Sequence, residues 1–303
     1  FTDQTSTTET KNNNHRFNMR LEYKIDSSNT LYIIPSVNFQ KNNSTNQSLA
    51  ESYYGTNDSL SKSVLNSPAD RNGYDIRNNI MFRHAFAKKG RSISFGFNTI
   101  FSNNNSDVIT DAFYRFFDNG LSEDSLQNQY ADNSTNGQKY TANITYTEPI
   151  GKKGQLQFEY NPSIQKTNTD QLTYLYDGQK YDEFESALSN SFDNTITTNT
   201  GGVSYRYIKS KDEMFSIGVN LQNAQLESER TFPTIGSLKQ SFFDVLPNAF
   251  WRKKFSAKSN IRIFYRSSVN FPSISQLQDV LNLSNPLRVS SGNPLLEQSN
   301  TQF

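Results

Sequence analysis

Cysteine is absent from the 303 residues, which removes disulfide frameworks, thiol nucleophiles and thiolate metal sites together. Histidine is almost absent as well. His15 and His84 stand far apart, with no His-x-x-x-His spacing and no obvious Ser and Asp partner, so neither a transition-metal site nor a catalytic triad can be assembled from them. Charge of one sign is missing too: 30 Lys+Arg against 29 Asp+Glu leave a net charge of +1, and no global field steers the chain towards nucleic acid. No run approaches the roughly 20 apolar residues of a membrane helix, and mean hydropathy is −0.74. A barrel wall escapes that last exclusion, because only every second residue of a membrane-crossing strand faces lipid.

Other chemical signals are equally thin. Asp177-Gly178, Asp182-Glu183 and Glu185 form an oxygen-rich stretch without EF-hand spacing, so it reads as a solvated loop and no metal site is assigned. Gly201-Gly202 lies in a strand-like stretch without the phosphate-cradling pattern, and no cofactor is implied. Acidic residues are scattered and form no paired carboxylates. The expectation is a chain with no catalysis.

What the chain has in quantity is aromatic side chains, 23 Phe and 16 Tyr, and strict alternation. In Gly154 to Asn168, Leu156, Phe158, Tyr160, Pro162 and Ile164 fall on one side of an extended chain, while Gln155, Gln157, Glu159, Asn161, Ser163 and Gln165 fall on the other. The same period of two runs through 16–26 and 31–39, 74–87 and 92–102, 139–149, 195–208 and 214–226, and 240–252 and 259–269. Ten strands in five hairpins result, each alternating for roughly the ten residues that a tilted strand needs to cross the hydrocarbon layer. Pro35 and Pro162 inside strands predict bulges, since proline cannot donate to the ladder.

Connection lengths alternate. Tight turns carry Lys88-Lys89-Gly90-Arg91, Gly151-Lys152-Lys153-Gly154 and Lys253-Lys254, whereas the other end is read as long Asn/Ser/Thr/Asp-rich loops. Short turns at one end and long loops at the other are the habit of bacterial outer-membrane barrels, with the long loops outside. The fold expected is therefore all-β, an antiparallel up-and-down transmembrane β-barrel, of which residues 1–303 supply one partial domain. The long loops hold Tyr53, Tyr54, Phe113, Tyr174, Tyr176 and Tyr181 beside Asn and Asp, a contact set suited to sugars or chelates; the competing reading packs these rings against one another. Trp251 and tyrosines near strand ends are expected in the interfacial girdles. A secreted β-sandwich or adhesive β-protein is the alternative.

The C-terminal stretch adds a motif: Tyr265-Arg266, then Phe271-Pro272-Ser273-Ile274, Gln276-Leu277, Asn285-Pro286-Leu287 and Gly292-Asn293-Pro294-Leu295-Leu296. This order and spacing resembles a segment in the barrels of TonB-dependent outer-membrane receptors, closest to the outer-membrane β-barrel group common in Bacteroidetes. Relatives that continue Lys-Pro-Glu differ from the Glu297-Gln298-Ser299 found here. The resemblance implies a barrel of about 22 strands closed by an N-terminal plug. It also implies TonB-driven uptake of a scarce nutrient such as an iron chelate, cobalamin, glycan or peptide. Membrane lipid and the TonB complex, reached through the plug, are the implied partners. On that reading the chain is a middle portion of a receptor, with the plug and the other strands outside it.

Overall fold

The structure, a computed structural model, describes all residues except 56–57, 119–120, 278–290 and 294. The described strands are β1 Thr2–Asn18, β2 Leu21–Lys24, β3 Asn29–Tyr54, β4 Asp58–Ala85, β5 Ser92–Asp118, β6 Leu121–Ile150, β7 Gly154–Tyr176, β8 Tyr181–Phe184, β9 Asn190–Ile208, β10 Glu213–Phe232, β11 Gly236–Lys254, β12 Asn260–Asn270 and β13 Ser299–Gln302. They form one antiparallel sheet in sequence order, open between an edge at β1 and an edge at β13, with β2 extending β1 along β3 and β8 added to β7. All ten expected strands are present, most of them within longer ones; 16–26 is divided between β1 and β2, and 259–269 is β12 at about its expected length.

The long polar loops are a correction: they are mostly strand. Between β3 and β4 only residues 55–57 are left over, and the ladder pairs Tyr54 with Asp58; β5 and β6 pair as far as Asp118 and Leu121. The tract from Thr2 onwards is likewise paired, Thr2 with Ser52. Backbone ladders need no hydropathy alternation. Where Asn, Ser and Thr occupy both faces the period of two vanishes from the sequence while the hydrogen bonds continue.

The prolines make no bulge. The nitrogen of Pro35 faces the first strand and has no proton to give, so the ladder loses bonds there and the strand divides into β1 and β2, but Asn18–Ser36 and Leu21–Ile33 keep one register on either side. Pro162 similarly removes Ala142 and Asn143 from the β6 ladder without a shift, and keeps Asn199 opposite it on β9.

Register then sorts every side chain to one of two faces. One continuous row reads Tyr23, Leu31, Phe82, Phe95, Ile144 and Tyr160 from strand to strand. Phe17, Leu21, Phe97, Phe158, Ile217, Leu221 and Val245 lie on this same face, exposed. Along β3 the apolar stretch runs from Leu31 to Phe39, about 27 Å of strand, which a tilt near 40° reduces to about 20 Å, close to the apolar band of outer-membrane barrels. Most of the buried strand residues lie on the opposite, concave face, among them Ala69, Ala112, Tyr114, Ala224, Leu226 and Leu246. The wall therefore wears its grease outward and packs small and polar groups inward.

Candidate functional site

The concave face at membrane height is polar and laid out in rows. Glu159, Gly202, Asn220 and Leu246 succeed one another across β7, β9, β10 and β11, and Gln157, Ser204, Gly218, Asn248 and Arg266 form the next row. Glu159, Asn220, Leu246, Asn248 and Arg266 of these rows, with Thr200 and Gln222, line an open concavity of about 590 Å³. Ionisable groups at this depth are tolerated when they face a hydrated or protein-filled lumen. The glycines shape the surface: a Cβ on Gly202 would stand 2.0 Å from the Asn220 side chain and 3.0 Å from Glu159 Oε1.

The family-like motif builds a segment that folds over this face. Phe271 packs on Phe242 at 5.3 Å between ring centroids. Pro272 and Ser273 lead into a single helical turn, α1 Ile274–Leu277, held by Gln276 Oε1, which accepts from the Ser273 backbone N–H at 2.9 Å and its hydroxyl at 3.0 Å. Leu277 is 1% exposed. Asn293 N–H donates to the Gln276 carbonyl, and Asn293 Oδ1 accepts from Leu295. Gln298 donates to the buried Asp244 of β11. Gly292 lies just before this contact, and Asn285, Pro286 and Pro294 lie outside the described residues. Tyr265 faces outward and Arg266 inward, and the Arg266 backbone exchanges two 2.9 Å bonds with Phe303.

The rim opposite the Lys-bearing turns gathers aromatics. Tyr130 stacks on Tyr174 at 6.3 Å and meets Tyr181 at 6.2 Å; Tyr174 meets Phe184 edge-on at 5.7 Å, Tyr176 meets Tyr181 at 5.0 Å, and Phe184 reaches Phe232 at 5.6 Å. Tyr181 Oη donates to Asn128 Oδ1 at 2.7 Å and Tyr130 Oη to Asp107 Oδ1 at 2.6 Å. The Asp107 carboxylate and burial together push the Tyr130 phenol up, and burial does the same to Tyr181. At the tip Asp177 caps its turn by accepting from the backbone N–H groups of Lys180 and Gln179, which hold its carboxyl below the usual range.

The structure brings Tyr174, Tyr176 and Tyr181 together and leaves the other expected contacts apart. Tyr53 and Tyr54 end β3 at a different hairpin tip, and Phe113 sits in β5 beneath Arg115. Tyr130 belongs to the cluster although it is not among the expected contacts; its register opposite Tyr174 exists only once β6 and β7 pair. Tyr174 shares the face of Phe158 and Ile164, away from the lumen.

At the other end, the tight turns carry their expected lysines. Glu148 is gripped by Arg91 at 2.6 Å, by Lys88 at 2.5 Å and by Tyr146 Oη at 2.7 Å. Gly90 and Gly151 turn the chain at φ of 87° and 62°, which glycine adopts freely. Trp251 lies on the lipid-side face three residues from the end of β11, paired with Phe215 and Ile263, where an interfacial girdle belongs.

No curated protein matches the chain. Among solved structures it is similar to BauA, the ferric preacinetobactin receptor from Acinetobacter baumannii, at 9% identity and a TM-score of 0.47 over 99% of this chain. The chain spans about half the length of that receptor, 50%. The sequence profile of the outer membrane protein beta-barrel family matches residues 84–302, and with a greasy outer face, a polar inner face and one up-and-down sheet, the chain belongs to that family of bacterial outer-membrane proteins.

Proposed function

We propose that this outer-membrane wall is part of a receptor that passes a scarce nutrient inward through a plugged barrel, driven by the TonB complex of the inner membrane. The observation that carries the reading is the lumen-facing surface around Glu159, Asn220, Asn248 and Arg266, a polar concavity at membrane depth on the same face where Phe271 packs on Phe242 and Gln298 donates to Asp244. Charged and amide groups there need water or a polar domain against them. A secreted adhesive β-sandwich buries apolar inner faces between its two sheets and has no such polar interior. The motif from Tyr265 to Leu296 supports the same reading through its resemblance to TonB-dependent receptors.

Within this reading the inner face carries ligand transit, and the rings of Tyr174, Tyr176 and Tyr181 hold the outer ribbon together, because they stand on the face away from the lumen. The reading assigns no catalysis. Candidate cargo is an iron chelate, cobalamin, a glycan or a peptide. Growth of a deletion strain and its complemented parent on each as the limiting source tests it. One nutrient is expected to need both the protein and an energised inner membrane. Equal growth on all four, with attachment to surfaces lost instead, would favour the adhesive alternative.

A further inference from the structure

The outer face does not end where the apolar band ends. Immediately above Phe39 and Tyr74, whose rings meet at 6.4 Å, the same face continues for several residues of every central strand as amides, hydroxyls and carboxylates. Neighbouring strands lock them together. Asn103 donates to Asn136 at 2.7 Å, Ser134 to Asn105 at 3.1 Å, and Asn168 to Asp193 at 2.9 Å. A merely solvated strand surface has no need of such ordered short side chains, and order of this kind lowers the entropy lost on binding.

Two hollows open in this belt, next to each other. The lower, of about 480 Å³, is framed by His15, Phe39, Lys41, Asn72, Tyr74 and Asn103. The upper, of about 510 Å³, holds Lys11, Asn43, Asp70, Asp107, Ile109 and Tyr130. Register puts Lys11, Asn43, Asp70 and Asp107 in one row across four strands. Asp70 is held by Asn43 at 2.9 Å and Lys41 at 3.5 Å, and Asp107 by the Tyr130 hydroxyl. Both volumes fall in the roughly 300–1,000 Å³ of small-ligand sites.

We propose that the two hollows seat the saccharide headgroup of an outer-leaflet glycolipid. Position argues for it: the belt is continuous with the lipid-contacting face and begins where the hydrocarbon layer stops, so the layer that it meets laterally is that of the headgroups. Chemistry argues for sugar over phosphate. Rings beside amides and carboxylates match a molecule with apolar faces and many hydroxyls, while the carboxylates of Glu9, Asp70 and Asp107 around Lys11 oppose an anion in the upper hollow. The inference rests on the outer-membrane placement and not on transport.

The intact protein, reconstituted in phospholipid nanodiscs containing either lipopolysaccharide with its full core oligosaccharide or lipid A alone, tests this by the amount of glycolipid retained after washing. Full-core lipopolysaccharide is expected to be retained more than lipid A, and the pair Asn43→Val and Asn103→Val, a β-favouring change, to lower that retention about fivefold, as the loss of one or two hydrogen bonds does. Lys11→Met, at the rim, gives a second reading if the pair fails to fold. Equal retention of the two glycolipids, or folded variants that retain full-core lipopolysaccharide undiminished, would overturn the assignment.

Discussion

Glu159 of β7 and Asn220 of β10 touch across an intervening strand, because Gly202 of β9 leaves the space between them open. The Asn220 amide, oriented to satisfy both neighbours, donates to Glu159 Oε1 at 2.9 Å and to the Val219 carbonyl at 3.2 Å. A side chain on Gly202 would end the contact. Gly202→Ala should therefore cost about 1–3 kcal/mol, the usual penalty of overpacking. Gly201→Ala, on the other face, would meet only the Tyr160 ring at 4.0 Å and should be neutral or stabilising by up to about 1 kcal/mol. Urea unfolding from vesicles compares the two, and similar costs would contradict the register.

Orientation in the membrane is checked at neighbouring residues. Phe158 is on the lipid-side face and 46% exposed, Gln157 on the lumen side. Phe158→Arg should cost about 2–4 kcal/mol and Gln157→Arg little, since a charge at the midplane is penalised only where it meets lipid. Equal penalties would reverse or abolish the assignment of faces.

Topology gives a labelling experiment. Lys153 stands in the turn before β7 and Asp182 in β8 at the far end, ion-paired with Lys180 at 2.5 Å. A cysteine replacing Asp182 should react with an impermeant maleimide on whole cells, and one replacing Lys153 should stay unreactive until the outer membrane is opened. The opposite pattern would invert the two ends.

The aromatic cluster separates packing from recognition. Tyr174→Ala with Tyr176→Ala removes ring pairs with Tyr130, Phe184 and Tyr181, each worth about 0.5–1.5 kcal/mol beyond burial. Faster hydrogen exchange at the β7–β8 tip with uptake intact is the expected outcome. Lost uptake with unchanged exchange would make these rings ligand contacts.

Legibility followed the contrast between the two faces of each strand. Leu156 to Ile164 and Phe215 to Leu221 announced strand, face and length at once, because lipid on one side and a polar lumen on the other write a period of two into the residues. Asn42 to Ser52 and Asn103 to Asp111 announce nothing: polar surroundings on both sides make no such demand, and these stretches carry no strand signal. The motif at Pro272, Ser273 and Gln276 was legible as a pattern, but its local cause, a helical turn closed by Gln276 on Ser273, was not.

The sequence by itself determined the membrane-crossing wall, since alternation sustained over the membrane-spanning length and tight basic turns at one end leave few other solutions. Only the tertiary structure decided how far the strands continue and which side chains meet. Tyr130 beside Tyr174, Asn43 beside Asp70 and Glu159 against Asn220 are 44, 27 and 61 residues apart in the chain. Such neighbours are set by hydrogen-bond register between strands, a property that no single stretch of sequence contains.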